Sequence, residues 1–359
     1  MTSPLAAPSD SLAVGQRSLG DPDVRFPLWP PLTEGCPVTS TESVAYPVEV
    51  DYAYDKVPAD LFATAAARPR GHERWAPLLP PLHAPGLAEG GTPLLPLADG
   101  VWIKDESRNP TWSHKDRLNR ITVSAAVGAG AAGVVVASSG NHGASAAAYA
   151  ARAGLRCAVV TSAEVPPAVD AFLRGYGAAV LPVPAEQRWP LLRRIVERTG
   201  YHPVSNLTPA AHTGHGFGPE GYKTLAYEIF TDLGTVPRAV FVPTGYGEML
   251  FGLWKGFAEL VRLGHAEAVP RLYGCEPAAG GPLAAAVRSG TFWPRIVPST
   301  VASTTENRKI QRVFTNPAWT WSHSVKNALS NTTHLFRLAF VRRGRGRPPR
   351  GGARCTACP

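Results

Sequence analysis

Gly133-Val-Val-Val-Ala-Ser-Ser-Gly-Asn-His-Gly143 is the stretch on which the fold turns. Three consecutive valines bounded by small residues read as a strand buried on both faces. The serine and glycine residues after it read as a loop. Residues 144–153 are alanine-rich and read as a helix, and Leu155-Arg-Cys-Ala-Val-Val160 reads as the next strand. Strand, glycine loop, helix, strand is the repeating unit of a parallel sheet.

The same alternation continues on both sides. Upstream, Val101-Trp-Ile-Lys104 reads as a short strand, and residues 116–127 carry Leu118, Ile121 and Ala125 at helical spacing. Downstream, helices are expected over 168–176, 193–199, 222–233 and 249–263, and strands over 178–183, 238–243 and 271–275. The fold class is therefore α/β, with sheets covered on both faces. Ligands of such sheets sit where strands feed helices, beyond the strands' carboxyl ends. Residues 31–100 are proline-rich and read as extended segments, and residues 1–30 as a mobile arm.

Three loops carry chemistry. In Ser138-Ser139-Gly140-Asn141-His142-Gly143 the glycines allow close backbone approach, and amides at a helix start attract an anion. A plain connecting loop is the bland alternative. Pro243-Thr-Gly245-Tyr246-Gly247-Glu248 is a second such turn, but Glu248 opposes an anion there. At ~6 Å and an effective dielectric of about 20, each like-charge pair costs about 2–3 kcal/mol, so an anion requires Glu248 to point away. In Asn109-Pro-Thr-Trp112-Ser-His114-Lys115-Asp-Arg117 the lysine stands at a helix start, where the positive end of the dipole disfavours its charge. It is either a solvated surface cation or a lysine poised to react with a carbonyl.

Length and composition bound the rest. With 359 residues, 44% hydrophobic and 18% charged, the chain is long enough for two domains and is not disordered as a whole. The apolar run 125–137 is too short and too rich in Ala and Gly to span a membrane. The opening MTSPLAAPSDSLAVG has no basic patch followed by an apolar stretch, so no secretory signal is expected and the default compartment is the cytoplasm. Five scattered cysteines exclude a disulfide scaffold. His202, His212 and His215 lack metal-site spacing, and Cys355-Thr-Ala-Cys358 has no second pair, so no metal is expected.

The net charge of +9 is uneven: eleven of the 36 basic residues follow Glu306, after which no Asp or Glu occurs. The remaining 25 basic residues face 27 acidic ones, which argues against nucleic-acid binding through the body. Residues 306–359, ending in RRGRGRPPRGGARCTACP, read as an aberrant or disordered tail, the product of a GC-rich gene read out of frame. The alternative is a genuine basic extension.

Taken in order, these motifs resemble a known family. Gly91-Thr-Pro-Leu94, Lys104-Asp-Glu106, residues 109–117, residues 138–143, Gly221-Tyr-Lys-Thr-Leu-Ala-Tyr-Glu228 and residues 242–257 are similar to the ordered motifs of fold-type-II pyridoxal-phosphate (PLP) enzymes, most of all threonine synthases. The resemblance covers about residues 72–305. It implies two parallel-sheet subdomains, as in tryptophan synthase β, with PLP between them. The small mobile subdomain would span about 117–203 within a catalytic body of 76–305, behind an arm of 1–75. It implies that Lys115 forms the internal aldimine with PLP and later moves protons on the substrate. Asn141 would bond the PLP 3′-oxygen, and Ser139, Gly140 and His142 would grip the carboxylate of a small amino-acid substrate. Gly245, Tyr246, Gly247, Glu248 and Met249 would hold the phosphate, with His114 beside the cofactor. A homodimer is the family habit.

The departures are specific. Trp112 stands where a glycine is usual, His114 where a phenylalanine is, and His142 where threonine synthases carry threonine. SSGNHG is more like the serine/threonine dehydratase branch. Tyr246 and Glu248 are unusual in a phosphate loop. Elimination, replacement and threonine formation through an external aldimine all stay open, as does a non-catalytic remnant. Around Cys36 the arm resembles a zinc-ribbon lead-in that retains one cysteine, and no zinc is expected there.

Overall fold

The computed structural model describes residues 10–42, 45–63, 71–207, 214–277, 282–289, 310–312 and 337–341. In chain order the strands and helices that position the site begin with β1 (Ala13–Ser18), β2 (Arg25–Phe26), β3 (Val48–Tyr52), β4 (Leu94–Ala98) and β5 (Val101–Asp105). There follow α1 (Lys115–Gly128), β6 (Gly133–Ala137), α2 (Asn141–Arg152), β7 (Arg156–Ser162), α3 (Pro167–Gly175), β8 (Ala179–Val183), α4 (Arg188–Thr199) and β9 (His202–Pro203). The last are α5 (Gly218–Leu233), β10 (Ala239–Pro243), α6 (Glu248–Arg262), β11 (Arg271–Pro277), α7 (Pro282–Ser289), β12 (Ile310–Arg312) and β13 (Arg337–Val341).

The valine run becomes β6, paired with β7 and β9 in a four-stranded sheet of order β8-β7-β6-β9, parallel throughout. Its side chains split by the two-residue period of a strand. Val134 and Val136 enter one core with Ala147, Tyr149, Val159 and Leu173, while Val135 enters another with Val160 and Leu192. Both faces are thus buried, which is why the strand reads as an unbroken apolar run. Helix α4 starts five residues earlier than its sequence predicts, with Pro190 in the first turn, where its missing N–H costs nothing.

The larger sheet has the order β12-β11-β10-β13-β5-β4. This sheet is mixed: β10 and β11 are parallel, and every other described pairing is antiparallel. Strands β12 and β13 come from the stretch read as a tail. Strand β13 lies between β10 and β5, so Arg337-Leu-Ala-Phe-Val341 is a paired strand and not free chain. The rest of the tail and the segment 298–302 lie outside the described residues. Helices α5 and α6 supply this half's core, with Tyr222, Leu225, Ile229, Leu253 and Phe257 all buried.

The arm also differs from a mobile one. Strand β1 pairs antiparallel with both β2 and β3. Gln16, almost fully buried, donates to the carbonyls of Pro27, Leu28 and Pro30 and accepts from Leu32 N–H. Its polar composition concealed this role, since a buried amide that satisfies four backbone groups organises a loop as firmly as an apolar side chain. The arm is tied to the body through a buried ionic cluster. Lys255 bonds Glu220 at 2.7 Å, Glu49 at 3.1 Å and the Val50 carbonyl at 2.6 Å, and Lys223 bonds Glu220 and Glu259. Cys36 is buried, and no group of three metal-type ligands occurs among the described residues.

Candidate active site

Lys115 is the first residue of α1, and the turn before it is pinned from three sides. Asp116 accepts from Thr111 N–H at 2.6 Å and from the hydroxyls of Thr111 and Ser145. Burial pushes the Asp116 carboxyl up to about 6, against the hydrogen bonds from Ser145 and Thr111, which lower it. Arg117 is fully buried and forks between Glu106 and Glu228, while Lys104 takes the other side of Glu228 at 2.9 Å. The Lys-Asp-Glu, lysine and Gly-Tyr-Lys-Thr motifs therefore meet in one buried charge network under the lysine turn. Most of their charged residues are buried and hold the frame, whereas the Lys115 side chain is 19% exposed.

The two glycine turns converge on Lys115. Asn119, one helical turn along α1, donates to the Lys115 carbonyl at 3.2 Å and to the His142 carbonyl at 3.3 Å, tying the lysine helix to the Ser-Ser-Gly-Asn-His-Gly turn. In that turn the Ser138 hydroxyl accepts from Gly143 N–H at 2.9 Å and Gly140 N–H at 3.2 Å. The Ser139 hydroxyl meets Ser162 Oγ at 3.0 Å, so its hydroxyl is engaged inside the subdomain. Asn141 opens α2 and is exposed. On the far side, Glu248 opens α6, and its Oε2 lies 3.5 Å from Lys115 Nζ. Gly247 before it has φ +90°, the left-handed conformation that glycine adopts without strain. Met249 is buried, and Tyr246 is 76% exposed.

The electrostatics follow from burial. His142 is pushed down to about 3 by burial and by Lys115. His114 is held well below its ordinary value by burial, then by Lys115, His142 and Arg117. Both imidazoles are neutral at neutral pH. Burial raises the Glu248 carboxyl, and Lys115 pulls it back. Tyr222, from the second turn of α5, lies with its ring 5.6 Å from Lys115 Nζ and 5.6 Å from the His114 ring. Tyr222 escaped the sequence reading because it stands among residues of a helix motif. Its place one position after Gly221, where α5 crosses α1, is the signal that could have exposed it. Trp112, the departure next to the lysine turn, has φ +62°, and its ring, 65% exposed, lies 5.5 Å from Phe172 of α3. The position favours glycine, the residue usual in the family.

The arrangement suits a polar ligand with a carbonyl and an anionic end. Tyr222 Oη and His142 Nε2 are buried without a hydrogen-bond partner, a state that a ligand at Lys115 would relieve. A Cβ built at Gly140 or at Gly245 meets nothing within 4 Å, so both turns keep open space against their backbone. The Glu248 carboxylate is turned onto Lys115 and against Gly214. These residues fit PLP.

Comparison with known proteins decides the family. Residues 86–325 match the family described as pyridoxal-phosphate dependent enzyme. The chain belongs to this family. Its α/β architecture is that of the fold-type-II PLP enzymes. Among relatives of this chain, threonine synthase of Mycobacterium tuberculosis is 34% identical over 208 residues, 55% of this chain and 56% of that protein. Threonine synthase of Synechocystis is 33% identical over 212 residues, covering 55% and 53%. That of Methanosarcina acetivorans is 30% identical over 271 residues, covering 71% and 65%. The chain spans about half the length of the first of these relatives. The structure of maize serine racemase superposes with a TM-score of 0.48 at 20% identity, over 58% of this chain and 59% of that one.

Elsewhere, His202 and His215 bring their Nε2 atoms within 2.8 Å, and Phe217 N–H donates to His215 Nδ1 at 3.0 Å. His215 is therefore the donor of the pair. His212 lies outside the described residues. Among the described residues no helix is long and apolar enough to cross a membrane.

Proposed function

We propose that this chain is a PLP-dependent enzyme of lyase or replacement chemistry on a small amino acid, threonine-synthase-like in its finer reading. The convergence of Lys115 with the turns at 138–143 and 243–249 carries this reading. When bound, PLP supplies the electron sink for carbanion chemistry, and the protein supplies orientation and protons. Lys115 would hold the cofactor and move a proton at the substrate's Cα. The amides of Gly245, Tyr246, Gly247, Glu248 and Met249 would take the phosphate, and Asn141 the ring oxygen, with His114 and Tyr222 beside them. Ser139, Gly140 and His142 would orient the substrate carboxylate. The neutral state of His142 makes that grip one of hydrogen bonds, not of charge.

A second reading, a serine/threonine dehydratase, is favoured by His142 in the Ser-Ser-Gly-Asn-His-Gly turn. The two are separated by product: a dehydratase releases a 2-keto acid from serine or threonine, and a threonine synthase does not require one.

The test is the visible spectrum of the purified protein with added PLP, before and after borohydride, followed by peptide mapping. A band that reduction fixes on Lys115 supports the reading, and substrate screening follows. A chain that binds no PLP, or a Lys115→Ala variant with the same spectrum as the wild type, overturns it in favour of a non-catalytic remnant.

A further inference from the structure

We propose that Tyr222 is a further cofactor-binding residue, its hydroxyl donating to the phosphate of PLP and supplying the side-chain donor that the turn at 243–249 lacks. The inference rests on the reading of this chain as a PLP enzyme and deepens it.

The packing of α5 on α6 places the tyrosine. A Cβ built at Gly252 would lie 2.6 Å from the Tyr222 Cβ, so Tyr222 leaves α5 directly against α6, one helical turn along from Glu248. Its ring comes within 5.6 Å of Lys115 Nζ. The side chain thus lies between the lysine and the helix start that ends the glycine turn. Tyr222 is fully buried, and its Oη has no hydrogen-bond partner. The charged groups around the hydroxyl are Glu248, Glu106 and Asp116, and it donates to none of them. Glu106 is taken by Arg117 and Thr92, and Asp116 by Thr111 and Ser145. A buried hydroxyl without an acceptor is costly, and it marks the place of a ligand that accepts.

The turn needs such a donor. Thr244 N–H donates to the Cys275 carbonyl at 2.9 Å and its hydroxyl to the Val242 carbonyl at 2.7 Å, so both its donors are spent. Tyr246 is exposed to solvent, and Glu248 brings a negative charge. Pro243, Gly245, Gly247 and Met249 have no side-chain donor. Backbone amides and the positive end of α6 attract an anion there, and no buried side chain of the turn adds to them. A hydroxyl from α5 completes the cradle without introducing another charge, and a bond to an ionised acceptor is among the stronger hydrogen bonds. His142 Nε2, the other unpartnered atom beside Lys115, belongs to the turn at 138–143 and not to α6.

The test compares PLP with pyridoxal, which shares the ring and aldehyde and lacks the phosphate. Binding of each is read as the concentration that half-saturates the borohydride-fixed adduct on Lys115 in the full chain. In Tyr222→Phe that concentration rises about tenfold for PLP and stays at the wild-type value for pyridoxal. An equal loss for both would mean that Tyr222 only shapes the site, and an unchanged value for PLP would mean that the hydroxyl makes no bond to the phosphate. Either result overturns the proposal. If Tyr222→Phe fails to fold, the structure of the wild type with PLP decides: Oη at about 2.7 Å from a phosphate oxygen supports it, and Oη bonded elsewhere overturns it. A wild type that takes up no PLP defeats the functional reading and this proposal together, whereas the results above defeat this proposal alone.

Discussion

Arg117 donates from Nη1 to Glu228 Oε1 at 2.7 Å, joining α1 to α5 directly behind the lysine turn. The same guanidinium meets Glu106 through Nε at 2.7 Å and Nη2 at 2.8 Å, so one planar cation serves two buried carboxylates. Arg117→Met leaves both without that counter-charge. Breaking a buried pair in this way costs about 3–5 kcal/mol, because the remaining charges stay desolvated. Denaturant titration should show a loss of that order. Arg117→Lys should recover only part of it, since an ammonium cannot fork between two carboxylates. Recovery to wild-type stability would mean that net charge matters here and geometry does not.

The close approach of the same two helices depends on Gly221. A Cβ there would lie 2.6 Å from the Arg117 carbonyl carbon and closer still to its oxygen. Both are backbone atoms, so the helices must separate. Gly221→Ala is expected to cost about 3 kcal/mol despite its better helix propensity. It should also displace Lys115, two residues from the contact, so the yield of the borohydride-fixed adduct should fall with stability. An adduct yield equal to the wild type in a destabilised variant would separate the helix contact from the position of the lysine.

Trp112 makes a different test of backbone strain. A bulky residue at φ +62° carries about 1–2 kcal/mol of local cost. Trp112→Ala and Trp112→Gly both remove the ring contact with Phe172, and only glycine removes the strain as well. Trp112→Gly should therefore be the more stable of the two by about 1 kcal/mol, read as a difference in denaturation midpoint. Equal stabilities would mean that the turn relaxes freely.

Much of this organisation was legible in the residues. The parallel strands β6, β7 and β8 showed themselves because strands buried on both faces are apolar runs. His142 and Glu248 came from the glycine turns at strand-to-helix junctions and Lys115 from its place at a helix start, and the structure brings the three turns together. Other features were hidden for physical reasons. Strand β13 pairs with β5 and β10 across more than 90 residues of sequence, a partnership that no local period reports. Gln16 is polar yet almost fully buried, so no apolar period marked its strand within an arm whose composition reads as mobile. Tyr222 lies in a helix whose apolar pattern is that of any core helix, and only the crossing of α5 over α1 gives it a place beside Lys115.

The arm's attachment should fail in acid. Burial alone would raise the Glu220 carboxyl, but Lys223 and Lys255 more than offset this and hold it at about 2. A carboxyl depressed in the folded state stabilises the fold fully above its ordinary value, near 4.5, and loses that contribution as pH falls toward 2. Stability measured by urea should decline through that window. Glu220→Gln should flatten the decline and lower stability at neutral pH, because the buried ammonium groups lose a shared partner. An unchanged acid slope would place the sensitivity in other carboxylates.

The neutral state of His142 has a consequence for recognition. Burial and the Lys115 charge push its imidazole down to about 3, and a depressed histidine stays uncharged at every pH above that value. In spectra of histidine-labelled protein the His142 resonance should stay flat from about pH 5 to 8, where an ordinary exposed histidine titrates. If the turn at 138–143 receives a carboxylate, binding of an amino-acid carboxylate should then vary little over this range on account of His142. A midpoint near 6.5 would mean that the ring is open to water and that charge contributes to the grip.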